Sequence, residues 1–246
     1  MMLPRVIGHR GAAEAAPENT LTGFRAAHAQ GARWVEFDAK LSADNHVVLL
    51  HDDDLDRTTD AKGPARLKSL AELKALDAGS WFSERFAGER LATLEEALAL
   101  FQELDLAFNI EIKPCPGRER ETAEIVLAEL MRLWPHARPE PLVSSFAVDS
   151  LKAIRAAAPL ARIGLLLEDH PDNWRDFGRR LNAQTINIWD KLATPAWIGE
   201  IKQEGYGLLV YTVNDAKRAN ELFVLGVDGV FTDAPGRILA GVSEWL

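Results

Sequence analysis

Short β-like runs alternate with amphipathic helical segments along almost the whole chain, and this alternation limits the folds that the chain can adopt. Several helical segments begin at a capping residue and end at Gly or Pro. Strands that alternate with helices form parallel sheets. Eight strand–helix units predict an α/β fold of the TIM (β/α)8 barrel class. The eight runs are residues 5–9, 34–38, 107–112, 142–145, 162–166, 185–188, 207–211 and 228–231.

The length of the chain fits one barrel. With 246 residues, of which 47% are hydrophobic, the chain can bury a large core, and barrels commonly reach this size. We therefore expect residues 1–246 to form a single domain.

A ninth strand-like run, residues 46–50, does not fit the barrel pattern. Only the polar turn "SADN" separates it from the second barrel strand, so it predicts an antiparallel hairpin. If the turn centres near Ala43 and Asp44, residues whose numbers sum to about 87 face each other. This register places His51 across from Glu36.

Residues 52–90 form no clear barrel unit and are long for a connecting loop. Segments of this kind are usually functional insertions. The aromatic residues Trp81, Phe82 and Phe86 indicate that the insertion packs as a small cap on the barrel.

Charge and cysteine content exclude several functional classes. A net charge of -9 and a pI near 5.2 disfavour a nucleic-acid partner, although a small anion can still bind through local cations. Cys115 is the single cysteine, so no intrachain disulfide can form and the cytoplasm is the expected location. The N-terminal residues do not resemble a signal peptide, and no apolar stretch approaches about 18 residues, so we expect neither export nor membrane insertion.

Three carboxylates lie at the predicted ends of neighbouring barrel strands. Glu36 and Asp38 are two residues apart in one strand and therefore share a face, and Glu111 lies in the next barrel strand. Clustered carboxylates repel one another unless a cation neutralises them, and a hard divalent ion is the usual solution. The pattern predicts one Mg²⁺ or Ca²⁺ ion, with Mn²⁺ as an alternative. For Glu36 and Asp38 alone, ordinary exposed strand residues explain the pattern equally well.

Two histidines follow predicted strands near these carboxylates. His9 precedes a tight Arg10-Gly11 turn, and His51 ends the hairpin strand. A lone histidine is more often structural, but a pair beside three carboxylates can accept and donate protons in a hydrolysis. We expect the other four histidines to be surface residues: His28, His46, His136 and His170.

Two cations adjoin the predicted acidic site. Arg10 and Lys113 can stabilise the nonbridging oxygens of a phosphodiester, or each can simply pair with a neighbouring carboxylate. The sequence "PENT" resembles a helix start, with Asn19 or Thr20 as the capping residue, and it leaves the role of Glu18 open.

The ordered motifs "HRG", "PENT", "EFD", "HDDDLDRTT", "EIKP", "VYTVND" and "DGVFTDAPG" resemble the glycerophosphodiester phosphodiesterase family, in particular its cytoplasmic bacterial members. The resemblance implies a TIM barrel with an insertion and metal-dependent hydrolysis of glycerophosphodiesters to sn-glycerol 3-phosphate and an alcohol. It implies metal ligands at Glu36, Asp38 and Glu111. It also implies an acid/base pair of His9 and His51, and phosphate contacts from Arg10 and Lys113.

Two positions depart from the family pattern, and two other functions compete with it. Tyr211 stands where many relatives carry tryptophan and Ala92 where proline is frequent, both expected outside the chemistry. A related phospholipase or lyase acting on a lipid would need exposed apolar loops, for which "SWFSERF" is the one candidate. A noncatalytic phosphodiester-binding protein would lack some of the five acidic and histidine residues. The alcohol group, the order of proton transfer, the nucleophile and the oligomeric state stay open.

Overall fold

A computed structural model of the chain describes residues 3–242, in which nine strands form one sheet. Eight strands are parallel, and the pairing of the first with both the second and the last closes them into a barrel. Each predicted barrel run overlaps one of these strands, so the predicted TIM barrel is confirmed. The strands are β1 (Val6–Gly8), β2 (Trp34–Leu41), β3 (Val47–Leu49), β4 (Ala107–Ile112), β5 (Leu142–Ser145), β6 (Arg162–Leu167), β7 (Thr185–Trp189), β8 (Gly207–Tyr211) and β9 (Gly229–Thr232).

Helices follow the barrel strands and cover them from outside. Their apolar faces pack on the strands, and the core near β2 contains an aromatic cluster in which the Phe24 and Phe101 rings lie 5.0 Å apart. Burying each such ring contributes ~1.5–3 kcal/mol. The helices are α1 (Leu21–Ala29), α2 (Leu70–Ala75), α3 (Leu94–Leu104), α4 (Glu119–Leu133), α5 (Val148–Ala157), α6 (Trp174–Leu181), α7 (Pro195–Gln203), α8 (Ala216–Val224) and α9 (Pro235–Gly241).

The hairpin exists, but its predicted register is wrong by one residue. β3 pairs antiparallel with β2 so that Ala39 faces Leu49, and the amide of Leu50 donates to the carbonyl of Asp38 at 3.2 Å. The strand ends at Leu49. His51 therefore lies beyond the hairpin pairs and does not face Glu36 across them.

Residues 52–90 contain α2 and two short 3₁₀ turns, Ala65–Leu67 and Glu84–Phe86. They have an apolar cluster of their own, which includes Leu55 and Leu73 and packs against Val48 of β3. The hairpin thus connects this insertion to the barrel. Within residues 3–242, no helix is long and apolar enough to cross a membrane.

Candidate active site

All seven residues that the sequence singled out lie together at the carboxyl end of the barrel. Six of them line a cleft of about 450 Å³, and the seventh, Asp38, is buried in contact with Arg10. Consecutive contacts connect them: Arg10 Nε lies 3.4 Å from Asp38, and Lys113 Nζ lies 3.0 Å from Glu111. The seven are His9, Arg10, Glu36, Asp38, His51, Glu111 and Lys113.

The parallel register of β2 and β4 brings the three carboxylates together. Asp38 pairs directly with Glu111, and Glu36 lies two residues earlier on the same face of β2. All three are buried, and one oxygen from each lies within 4.8 Å of the other two. Burial and the neighbouring carboxylates raise the pKa of Glu36 and of Glu111, the latter to about 7. Burial also opposes ionisation of Asp38, but the charges of Arg10 and Lys113 outweigh it and lower the pKa of Asp38.

The acidic cluster fits a divalent cation. Its donor atoms are all carboxylate oxygens, which hard ions such as Mg²⁺ and Ca²⁺ prefer. Two metal–oxygen bonds of ~2.1–2.5 Å span ~4–5 Å, so one ion can contact all three side chains with little rearrangement. The raised pKa values of Glu36 and Glu111 support the same conclusion, because they indicate that the protein alone does not neutralise the negative charges of these two carboxylates.

His9 directly follows β1 and is held by Asp233, which directly follows the adjacent strand β9. Its Nδ1 lies 2.7 Å from Asp233 Oδ1, and its Nε2 points towards Glu36 at 3.9 Å. Asn214 donates to the second oxygen of Asp233 at 2.7 Å. Burial raises the pKa of Asp233, but these hydrogen bonds outweigh it and leave the pKa below its usual value. An ionised Asp233 therefore fixes Nδ1 of His9 as a donor.

His51 has a similar aspartate partner but a different neighbour at Nε2. Its Nδ1 lies 2.6 Å from Asp52, whose pKa is lowered mainly by its hydrogen bonds with Arg57. Lys113 donates to Nε2 of His51 at 2.8 Å. Burial lowers the pKa of His51, and the nearby cations Arg10 and Lys113 act in the same direction, against the charge of Asp38. Because an ammonium can only donate, Nε2 of His51 is the acceptor of this hydrogen bond and carries no proton.

Arg10 owes its position to the tight turn after β1. Its backbone adopts a φ of 51°, and its N–H donates to Glu36 at 2.9 Å. Gly11 has a φ of 95°, and a Cβ there would lie 2.7 Å from the backbone of Gly23 in α1. Only glycine allows this turn to pack against the helix. The Arg10 guanidinium then reaches Glu18 at 2.8 Å.

Glu18, whose role the sequence left open, connects the two halves of the site. It accepts two hydrogen bonds of 2.7 Å from Arg57, which also donates to Asp52. Burial raises the pKa of Glu18, but Arg57 and Arg10 lower it by more, so that its net pKa is below normal. Glu18 is therefore an ionised bridge between Arg10 and the partner of His51.

The "PENT" residues divide between a capping role and a site role. Thr20 caps α1 by accepting from the N–H of Gly23, as predicted. Asn19 is instead buried against Asp38: its amide nitrogen donates to Asp38 Oδ2 at 2.8 Å, and its oxygen accepts from the Asp38 N–H at 3.1 Å. Asn19 thus orients one of the three clustered carboxylates.

The far wall of the cleft is largely apolar and contains Phe146, Leu166 and Phe231. Tyr211 belongs to the same wall, and its hydroxyl donates to the carbonyl of Leu167 at 2.8 Å. This departure from the family pattern therefore borders the cleft, and the expectation that Tyr211 takes no part in the chemistry stays a prediction.

Sequence reasoning missed several residues that support the site. Asp233 directly follows a strand, so the strand-end rule that identified His9 could have found it. The pairing of Glu18 with Arg57 could not be found in this way, because the two are 39 positions apart in irregular segments. The missed residues are Asn19, Asp52, Arg57, Asn214 and Asp233.

Comparison with known proteins gives a consistent result. The sequence profile of the glycerophosphoryl diester phosphodiesterase family matches residues 9–237. The glycerophosphodiester phosphodiesterase of Caldanaerobacter subterraneus subsp. tengcongensis is 34% identical over 239 residues, which cover 95% of this chain and 96% of that protein.

Solved structures agree with the sequence relatives. A phosphodiesterase from Oleispira antarctica, in complex with the product sn-glycerol-3-phosphate, superposes with a TM-score of 0.94 at 38% identity and covers 97% of this chain and 96% of that one. A glycerophosphodiester phosphodiesterase from Agrobacterium tumefaciens superposes with a TM-score of 0.78 at 28% identity, covering 97% and 100%. The chain therefore belongs to the glycerophosphoryl diester phosphodiesterase family.

Proposed function

We propose that this enzyme hydrolyses glycerophosphodiesters to sn-glycerol 3-phosphate and an alcohol, with a divalent metal and two histidines. One observation supports this most strongly: two aspartate-held imidazoles, His9 and His51, line one cleft with a carboxylate cluster and two cations. The single buried free thiol, Cys115, supports a reducing compartment such as the cytoplasm as its location.

Glu36, Asp38 and Glu111 would hold the metal. A bound Mg²⁺, Ca²⁺ or Mn²⁺ ion would supply Lewis-acid stabilisation of the negative charge on the phosphoryl oxygens. Arg10 and Lys113 border the same cleft and would contact the remaining phosphoryl oxygens. Their existing ion pairs with the carboxylates keep both cations directed at this position.

The contacts of the two histidines suggest different roles. His51 accepts a hydrogen bond from Lys113 at Nε2, so it is neutral there and suited to remove a proton from the nucleophile. His9 instead lies 3.9 Å from Glu36 at Nε2 and is held by Asp233 at Nδ1, so it is left as the partner that gives a proton. We therefore assign His51 as the general base and His9 as the general acid. The nucleophile attacks phosphorus, the bond from phosphorus to the alcohol oxygen breaks, and His9 protonates the departing oxygen.

The first test is release of sn-glycerol 3-phosphate from glycerophosphodiesters after treatment with EDTA and restoration of Mg²⁺, Ca²⁺ or Mn²⁺ in turn. The untreated protein should be active, the stripped protein inactive, and at least one ion should restore turnover. Replacing Asp38 by Asn should remove the response to metal. Full activity in EDTA, or inactivity with every diester and ion, would contradict the proposal.

The second test separates the two histidines by leaving group. His9→Asn and His51→Asn should each lower kcat on glycerophosphocholine by ~10²–10⁴-fold, because each removes one proton transfer. With glycerophospho-p-nitrophenol, whose leaving group needs no proton, His9→Asn should recover most of its activity and His51→Asn should not. The exposed His136→Asn is the matched control and should behave as the unaltered enzyme. Equal recovery in both variants would refute the assignment.

A further inference from the structure

A second pocket opens beside the catalytic cleft on the side of the insertion. Its volume is about 390 Å³, and it shares His9 and Arg10 with the cleft. Trp81 and Phe82 of the insertion form part of its wall. The insertion therefore adds a binding surface directly next to the reacting groups.

The turn that carries these aromatic residues is fixed by its own hydrogen bonds. Asp77 accepts from the N–H groups of Gly79 and Ser80 at 2.8 and 2.7 Å. The indole N–H of Trp81 donates to the carbonyl of Ala78 at 2.9 Å, and the Trp81 and Phe82 rings meet edge to face at 5.6 Å. The rings thus have a defined orientation before any ligand binds.

Two further contacts attach this turn to the segment that follows His9. Arg85 donates to the carbonyl of Ala15 at 2.8 Å. Glu89 accepts from the hydroxyl of Thr22 at 2.6 Å. Both contacts follow Trp81 and Phe82 in the chain, and they hold this side of the turn against the barrel next to the catalytic cleft.

The lining of the pocket suits a positively charged group. Besides the aromatic wall, it contains three carboxylates, those of Glu14, Glu18 and Asp233, and the guanidinium of Arg10, so its carboxylates outnumber this cation. The arginines Arg237 and Arg57, which pair with Glu14 and Glu18, are not part of the lining. An ammonium group over an indole face gains ~0.5–2 kcal/mol, and nearby carboxylates add to this attraction.

We infer that this pocket binds the alcohol part of the substrate, and that Trp81 and Phe82 favour alcohols that carry an ammonium group. The inference rests on the proposed function, in which His9 protonates the departing alcohol. His9 lines both the cleft and this pocket, whereas His51 lines only the cleft. An oxygen protonated by His9 is therefore released at the mouth of the pocket.

The other neighbouring pocket is a poorer position for such an alcohol. It lies beside Lys113, has a volume of about 260 Å³ and contains neither histidine. Its charged lining consists of the carboxylates of Asp53, Glu111 and Glu119 with the ammonium of Lys113, so charge alone does not distinguish it from the pocket at Trp81. Phe146 is its one aromatic residue, and the ring already lies 5.4 Å from the Lys113 ammonium.

The test compares two diesters that share the glycerophosphate part. Glycerophosphocholine carries an ammonium group and glycerophosphoglycerol does not. Trp81→Ala should lower kcat/KM for glycerophosphocholine by ~3–30-fold, the range that a cation–π contact provides, and leave that for glycerophosphoglycerol within about twofold. Trp81→Phe should keep most of the preference. Trp189→Ala, at a tryptophan of similar exposure (39% against 37%) outside the three pockets described above, is the control and should change neither substrate.

Inhibition by free choline gives a second measurement that does not depend on turnover of a choline diester. With glycerophosphoglycerol as substrate, the inhibition constant of choline should rise by ~3–30-fold in Trp81→Ala and stay unchanged in Trp189→Ala. Equal losses on both diesters, or unchanged choline inhibition, would overturn the inference and leave the proposed function intact. Failure of the unaltered enzyme to cleave either diester would overturn both.

Discussion

His9 and His51 differ in the groups that their ring nitrogens contact. Each uses Nδ1 to contact an aspartate, Asp233 for His9 and Asp52 for His51. The difference lies at Nε2, where His9 meets a carboxylate at 3.9 Å and His51 meets the Lys113 ammonium at 2.8 Å. The two rings therefore differ in the contact that each makes on its cleft side, and the proposed roles of general acid and general base rest on this difference.

Glu18 is the residue whose loss should reach both halves of the site. Glu18→Gln removes a charge that is only 11% exposed and pairs with Arg10 and Arg57. We expect a loss of ~1–3 kcal/mol in the free energy of unfolding and at least a tenfold fall in kcat/KM, because Arg10 loses its anchor. Urea unfolding and steady-state kinetics measure the two effects.

The pH dependence of stability and a second substitution test this explanation of Glu18→Gln. Because the folded pKa of Glu18 is lowered, its stabilising effect is present above the unfolded value of ~4.3 and is lost as the pH falls through the folded value. The cost of Glu18→Gln should shrink accordingly in acid. Glu103→Gln, which breaks the exposed pair with Arg25, should change neither stability nor activity. Equal effects of the two substitutions would show that burial of Glu18 is irrelevant.

At the scale of secondary-structure elements, the β2–β3 hairpin and the turn at Trp81 add residues to the site that the barrel strands build. The β2–β3 hairpin delivers His51 to the edge of a site that β1, β2 and β4 otherwise build. The insertion then returns to the barrel through the turn at Trp81. Within this turn the backbone packs closely at Gly79, where a Cβ would lie 2.0 Å from the carbonyl oxygen of Phe86.

Gly79→Ala should therefore open this turn. We expect faster limited proteolysis within residues 79–88 and a weaker preference for glycerophosphocholine, since Trp81 loses its fixed position. Gly199→Ala in α7 is the matched control, because a Cβ there meets no atom within 4 Å. It should raise the free energy of unfolding by up to ~1 kcal/mol through helix propensity. Identical proteolysis of Gly79→Ala and the unaltered protein would disprove the role of this glycine.

At the scale of the whole molecule, the parts of the site that could be predicted from the sequence are those that depend on one strand or on two neighbouring strands. Period-two alternation placed Glu36 and Asp38 on one face, and parallel order placed Glu111 beside them. The hairpin register was wrong because the turn position, which composition does not determine, shifts every pair by one residue. The pairs of Glu18 with Arg57 and of His9 with Asp233 depend on barrel closure and on an irregular insertion, so spacing along the chain does not contain them.

The free energy of unfolding of the whole protein should depend on the protonation state of the clustered carboxylates. Without metal, Glu36 and Glu111 have raised pKa values, so the folded protein keeps protons that the unfolded chain releases near pH ~4.3. The native state thus binds more protons, and the stability of the metal-free protein should fall as the pH rises from ~5 to ~7. A metal ion held by these carboxylates would replace the protons, so the stabilisation by saturating Mg²⁺ should grow over the same interval.

Thermal unfolding in EDTA and in Mg²⁺, measured at half-unit steps of pH, tests this linkage. Glu111→Gln is the matched variant, since it keeps the size of the side chain and removes the titrating group with a pKa of about 7. Its metal-free stability should depend less on pH than that of the unaltered protein, and Mg²⁺ should stabilise it less at neutral pH. A metal-induced shift in Tm that is constant from pH 5 to 8, or the same pH slope in Glu111→Gln, would show that Mg²⁺ does not bind through these protonated carboxylates.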